Sequence, residues 1–359
     1  MKQKNNIDFN LSLDGTLIIK GLAICLMLWH HLFYGSQEYG SFVYRTAQFG
    51  MVCVSLFLFV SAYGLTVQYN KIFDKPITET FKFQAKRLVK FYANYWVIFL
   101  IFVPIGLFVF GQGFNAPEGS TNLIPIKTIL RDILGINASL SYNMTWWFNA
   151  LIISLYLMFP ILYFLTKKWT VFALIISFFI IVVGFDLSVL PKDVYIWIFH
   201  FVIGITCALH IDKINYFLNR FNSLILFGIL LLIFGFLFYL RNFVIIFYLN
   251  NEIIAPLLSA NIVFLVLLTI NIINNKIKVR NTGKIMKFLG NHSMNIYMIH
   301  TFIYHYWFSN FIYSFKYPIL IFFVLLAICL IISVLLEYGK KIVHLPVIID
   351  NINKKITKL

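Results

Sequence analysis

Charge is scarce in this sequence. Asp, Glu, Lys and Arg make up 12% of its 359 residues, about half the share found in a soluble domain. Acidic residues number only 13. With 61% hydrophobic residues and a mean hydropathy of +0.86, this excludes a water-soluble globule and a disordered chain. Cysteine is equally sparse. Cys25, Cys53, Cys207 and Cys329 each sit inside an apolar run, which excludes a disulfide framework and a spaced zinc cluster and leaves them as core thiols. No metal and no permanently bound cofactor is expected. Nor is there a Gly/Pro/Ser-rich linker, a low-complexity tract or an internal repeat.

What remains is apolar and aromatic, with 40 Phe and 20 Tyr. A bilayer core takes about 20 apolar residues per helix. Candidate runs lie near 17–34, 46–69, 88–110, 145–166, 170–188, 194–210, 221–241, 252–273, 285–308 and 317–337. The expected fold is an all-α polytopic membrane bundle of about ten helices. The run at 285–308 is the most polar of them, carrying Asn291, His292, Ser293, Asn295, His300 and His305. Residues 1–16 then form a cytoplasmic leader segment, 17–337 the membrane domain and 338–359 a basic cytoplasmic tail. The first run follows a basic MKQKNN but lacks a small-x-small cleavage site, so it is expected to stay attached.

A net charge of +16 admits nucleic acid, anionic lipid or an anionic substrate as partner. Its distribution decides. Alternating ten spans place 22 of the 29 Lys and Arg residues on one side and 6 on the other, with Lys20 inside the first span. The positive-inside rule accounts for that bias with both termini cytoplasmic. Nucleic acid is not needed. The longest external loop, near 111–144, is the best place for an outward substrate-handling element.

Ionisable groups within a span are costly and so are functional candidates. The first span holds Lys20, His30 and His31. Lys20 and His31 are eleven residues apart, about 1,100° of helix, so they share a face to within ~20° and are separated by ~16 Å. A fixed cation suits phosphate, and an imidazole can take a proton from an alcohol attacking a carbonyl. The bland alternative is a snorkelling lysine and a helix-end histidine. His30 points about 100° away and is read as packing, although the spacing alone leaves it open as the base. Ser293, Tyr297 and His300 fall at i, i+4 and i+7, one helical face.

Five segments in order resemble the acyltransferase family 3 membrane O-acyltransferases. KGLAICLMLWHHLF, with ten residues between Lys20 and His31, is similar to that family's first-helix Arg-x10-His. Phe59-Val-Ser61-Ala62-Tyr63-Gly64 resembles its Phe-x-x-Ser-Gly-Tyr/Phe segment, and Lys86-Arg87-Leu-Val-Lys90 its basic stretch. Trp146-Trp147-Phe148 with Tyr156 and Pro160 is similar to its Trp-Phe helix, and Leu289-Gly290-Asn-His-Ser293 through Tyr297 and His300 to its late Leu-Gly-x-x-Ser segment. Two positions depart from the pattern: Lys20 stands for Arg, which removes the bidentate fork, and Ala62 stands for Gly.

The resemblance implies transfer of an acyl group, usually acetyl from cytoplasmic acetyl-CoA, to a hydroxyl of a carbohydrate or glycolipid. His31 inherits the general-base role, with His300 as a second base candidate. Lys20, Lys86, Arg87 and Lys90 inherit contact with the donor, and Ser61, Tyr63, Trp146, Trp147, Ser293 and Tyr297 line the acceptor cavity. Alternative roles stand beside these: topology charge for the basic run, close helix packing for Ser61 with Ala62 and Gly64, an interfacial belt for the tryptophans, and a hydrogen-bonded core histidine for His300. Nothing soluble follows the last span, so the esterase-like domain fused to some relatives is not expected. Richness in Ile, Asn, Lys and Phe points to a bacterial plasma membrane and a surface polysaccharide, with polysaccharide-biosynthesis proteins as partners. The rival function is a flippase or exporter of lipid-linked sugar without covalent chemistry. A non-enzymatic scaffold is the third.

Overall fold

A computed structural model describes residues 7–114, 126–137, 141–183, 192–244, 254–273 and 283–358. Among the described residues there is no strand. The helices are α1 (Leu13–Phe33), α2 (Ser41–Gly50), α3 (Val52–Tyr69), α4 (Ile77–Phe108), α5 (Ile126–Ile133), α6 (Trp147–Lys168), α7 (Thr170–Val183), α8 (Lys192–Leu209), α9 (Ile211–Leu218), α10 (Ser223–Tyr239), α11 (Ala255–Ile272), α12 (Lys284–Thr301), α13 (Ser309–Tyr313), α14 (Pro318–Ile342) and α15 (Leu345–Lys358). Among the described residues, eight helical segments are long and apolar enough to cross a membrane. The other two expected spans differ for physical reasons. The described part of α7 has only 14 residues, and the rest of the 170–188 run lies outside the described residues. Helix α12 carries Asn291, His292, Ser293, Asn295 and His300 of the polar residues noted above.

Backbone chemistry sets the ends. Ser12 Oγ accepts from Gly15 N at 3.1 Å and caps α1, and Asn222 Oδ1 caps α10 through Leu224 N at 2.9 Å; each satisfies a donor the first turn leaves open. Pro318 opens α14, where its missing N–H costs nothing. Helix α1 starts four residues before the apolar run it carries, and α14 runs on to Ile342, so Tyr338–Ile342 are helix rather than tail.

The contacts fall into two compact units. The first comprises Met1–Lys71, Pro160–Leu187 and Tyr195–Ser293. Its core is α1 against α2 and α3, with α11 against α3 and α10. Glycines let backbones meet there. A Cβ on Gly21 would stand 2.1 Å from the Met286 carbonyl oxygen, and one on Gly290 2.0 Å from that of Leu17. Thus α1 and the start of α12 cross backbone to backbone at two of the motif glycines. An ion pair between Lys287 and Asp14 closes the same end. Gly204 of α8 meets α3 at Ala62, where an added Cβ would lie 2.8 Å from the Ala62 Cβ and from the Phe59 carbonyl oxygen. Residues 7–11 are strapped down: Ile7 N and Phe9 N donate to Asn219 and Asn215 Oδ1 at 2.9 Å each, and Asn219 Nδ2 returns a bond to Ile7 O at 2.8 Å.

The second unit comprises Ile72–Phe159, Ser188–Val194 and Met294–Leu359. Its core is aromatic, with Tyr95, Phe99 and Phe302 around Trp146. Three side chains of α4 cap the last carbonyls of α5: the Tyr95 hydroxyl donates to Asp132 O, Trp96 Nε1 to Ile133 O at 2.9 Å and the Tyr92 hydroxyl to Leu134 O at 2.9 Å. This satisfies acceptors that an eight-residue helix cannot pair internally. Helix α15 lies against α4, and Lys82 Nζ donates to Thr357 O at 3.3 Å.

Candidate active site

In the first unit, α1 is unbroken from Leu13 to Phe33, so the eleven-residue spacing holds and Lys20 and His31 keep to one stripe. Both side chains are half-buried. They are not joined by an open groove. Ala23, Ile24 and Met27, which occupy the stripe between them, are 0%, 0% and 3% exposed. His30 is packing, as its angular offset implies. Its Nδ1 lies 2.8 Å from the Ala47 carbonyl oxygen, an acceptor, so Nδ1 carries a proton. Trp29 Nε1 donates to Thr46 Oγ1 at 3.0 Å, and Gly50 presses on the turn at Leu26 and His30. Helix α2 therefore fixes the rotation of α1 one residue before His31.

Helix α3 is buried except for Val67 in its last turn and one stripe, Val54, Phe57, Ser61, Gly64 and Gln68. Ser61 is on that stripe. Its expected packing partners divide: Ala62 is fully buried on Gly204, whereas a Cβ on Gly64 would meet nothing within 4 Å. The small-residue contact is thus made through Ala62 and supplied with space by Gly204. Tyr63 is 3% exposed, and its hydroxyl accepts from Leu11 N at 3.3 Å. Ser293 is buried and its hydroxyl donates to Gly290 O at 2.8 Å, a bond within its own helix.

In the second unit, Lys86 and Arg87 are half-buried and Lys90 exposed along α4. The Arg87 guanidinium lies 5.4 Å over the Phe83 ring, and Gln84 between them is anchored through Nε2 to Tyr156 O at 2.6 Å. Trp146 is 1% exposed, with Nε1 donating to Met298 O at 3.1 Å, so its ring packs in the core of this unit. Trp147 is half-buried.

Tyr297 and His300 meet a cluster that the sequence left unremarked. The Tyr297 hydroxyl donates to Thr145 O at 2.9 Å and stands 3.3 Å from Asn149 Oδ1. Thr145 Oγ1 bonds to Asn143 Oδ1 at 2.8 Å and to Thr301 Oγ1 at 2.9 Å. His300 Nδ1 lies 2.7 Å from Tyr297 O, so Nδ1 bears the proton and Nε2 the lone pair, 3.4 Å from Thr301 Oγ1. His300 is 0% exposed, held in the interior by the contact within its own helix.

Two further groups were missed. Lys340, counted above as topology charge, is 4% exposed; its Nζ donates to Glu337 Oε1 at 2.7 Å, Asn94 Oδ1 at 2.8 Å and Asn295 Oδ1 at 3.0 Å. Asn295 Nδ2 in turn donates to Glu337 Oε1 at 2.8 Å and Ser333 Oγ at 3.0 Å. One ammonium thereby ties α4, α12 and α14 together. Asp132, in the expected substrate-handling loop, is 1% exposed and accepts from Tyr142 N at 3.0 Å and Asn137 Nδ2 at 3.2 Å. Burial pushes its carboxyl up to about 7, against the downward pull of those two donors. Positions 115–125 and 138–140 of that loop lie outside the described residues.

Residues 10–338 match the family model described as an acyltransferase domain. No curated protein and no solved structure matches the chain.

Proposed function

The chain belongs to this acyltransferase domain family, and from that premise we propose that it moves an acetyl group from acetyl-CoA to a hydroxyl of a cell-surface carbohydrate or its lipid-linked precursor. Membership makes it a membrane acyltransferase; donor, acceptor and residue roles are inferred from the residues. The observation that carries them is the register of α1, a cation and an imidazole on one stripe, ~16 Å apart, each with part of its side chain accessible. A donor that engages both must be extended, with its anionic groups far from its reacting carbonyl. The pantetheine arm of coenzyme A makes it so.

His31 takes the proton of the acceptor hydroxyl as its oxygen bonds to the thioester carbonyl carbon. The carbon–sulfur bond then breaks, and the thiolate leaves as CoA and recovers a proton. Lys20 holds the anionic end of the donor. Lys86, Arg87 and Lys90 add positive charge on the side where the charge bias puts the cytoplasm, with both termini on that side.

Purified protein releases thiol from acetyl-CoA in the presence of acceptor, and His31→Ala abolishes the release without loss of folding. Lys20→Ala raises the donor KM, and Lys20→Arg restores it. A well-folded His31→Ala with full transfer rejects the base. Movement of lipid-linked sugar with no thiol release under any condition favours the exporter instead.

A further inference from the structure

Helix α15 follows the last long span after two residues, Val343 and His344, with His344 at φ 53° ending α14. Its sequence is LPVIIDNINKKITK, and none of its residues is buried. Leu345, Ile348, Ile349, Ile352 and Ile356 fall within about 100° of one another around the axis. Helix α4 covers one edge of that face, where Leu345, Ile349 and Ile356 are half-buried. The other edge is open: Ile348 and Ile352 are 48% and 39% exposed, and on the neighbouring first turns of α4 Ile77 and Phe81 are 67% and 68% exposed. Lys355 and Lys358 border the open edge, and three lysines against Asp350 leave α15 net +2.

We propose that the open edge of α15 lies on the membrane surface at which α14 exits, with Ile348 and Ile352 among the acyl-chain ends and Lys355 and Lys358 on anionic phospholipid headgroups. Three features choose this occupant. A two-residue turn keeps the helix beside the bilayer its predecessor leaves. An apolar edge bordered by lysine is the pattern of an interfacial helix, in which aliphatic stems sink and ammonium groups reach the headgroups. Its charge is opposite to that of phosphatidylglycerol or phosphatidylserine surfaces. The assignment is independent of the reaction catalysed.

The test uses the full chain, one copy per lipid nanodisc, with a polarity-sensitive fluorophore on Ile352→Cys or on Asp350→Cys, about 160° away around the helix. The unsubstituted chain carried through labelling supplies the background. Lipids brominated on the acyl chain are the quencher. In discs containing phosphatidylglycerol, quenching at 352 exceeds that at 350 at least twofold. In pure phosphatidylcholine, or with Lys354→Gln, Lys355→Gln and Lys358→Gln combined, the difference shrinks. Equal quenching at the two positions, indifference to phosphatidylglycerol, or shielding at 352 that appears only when two copies share a disc overturns the proposal. The last result assigns the edge to a second chain.

Discussion

Replacing Gly21 by alanine tests the packing that seats Lys20. The added Cβ would stand 2.1 Å from the Met286 carbonyl oxygen. Carbon contacts settle near ~3.5 Å, so the two backbones must part by roughly 1.4 Å. The obstacle is a carbonyl of a helix and has no rotamer to escape into. Overpacking of this kind costs ~1–3 kcal/mol, and here the upper end applies. Alanine returns about 1 kcal/mol of helix propensity, leaving a net loss of ~2 kcal/mol. The same displacement moves the stripe of Lys20, and a 1 Å misplacement can cost on the order of 10²-fold in rate. Thermal unfolding in detergent and the donor KM read the two effects. Gly64→Ala is the internal control: its Cβ meets nothing within 4 Å in the interior of α3, so it raises stability by ~0.5–1 kcal/mol. Equal unfolding temperatures for the two variants would refute the reasoning.

Lys340→Ala leaves Glu337, Asn94 and Asn295 without their shared donor, and removing one partner of a buried pair costs ~3–5 kcal/mol; since the Glu337 side chain is 41% exposed, the loss falls at or below the lower bound. Lys340→Met together with Glu337→Gln recovers part of it, and a double-mutant cycle in the unfolding midpoint measures how much. Asp132 has a folded pKa raised from the ordinary 3.8 to about 7, so the native state binds the extra proton and stability falls as pH rises from ~4 to ~7. The protection of residues 126–137, read as exchange relative to the intrinsic rate at each pH, therefore falls over that interval, and Asp132→Asn flattens that profile. Tyr297→Phe loses the bond to Thr145 O and costs ~1 kcal/mol in unfolding; if a full-length variant unfolds with the parent, the cluster contributes nothing to stability.

How much of this was legible in the sequence depends on how far apart the partners lie. The stripe of Lys20 and His31 and the offset of His30 follow from helical periodicity and needed no partner. Membrane class followed from composition. The packing of Trp146 was not legible, because an aromatic at the end of an apolar run looks the same whether it faces headgroups or the core. Its acceptor, Met298 O, is 152 residues away. Lys340 was invisible for the same reason, since Asn94 is 246 positions distant and a lysine after a span ordinarily marks topology. Asp132 lacks any local pattern, since its carboxylate is held by Asn137 and by Tyr142 N, five and ten positions on in an irregular segment. The departure at Ala62 is explained only by Gly204, which restores across the interface the space that glycine would have left.

The strap at residues 7–11 also has a calendar. Its acceptors on Asn215 and Asn219 lie 206 and 212 positions downstream. At a synthesis rate of roughly 5–20 residues per second, the first peptide groups to emerge wait about 10–40 s before the amides that bind them exist. The opening span therefore enters the bilayer with Ile7 and Phe9 unfastened, and they are secured only after more than half the polypeptide has been made.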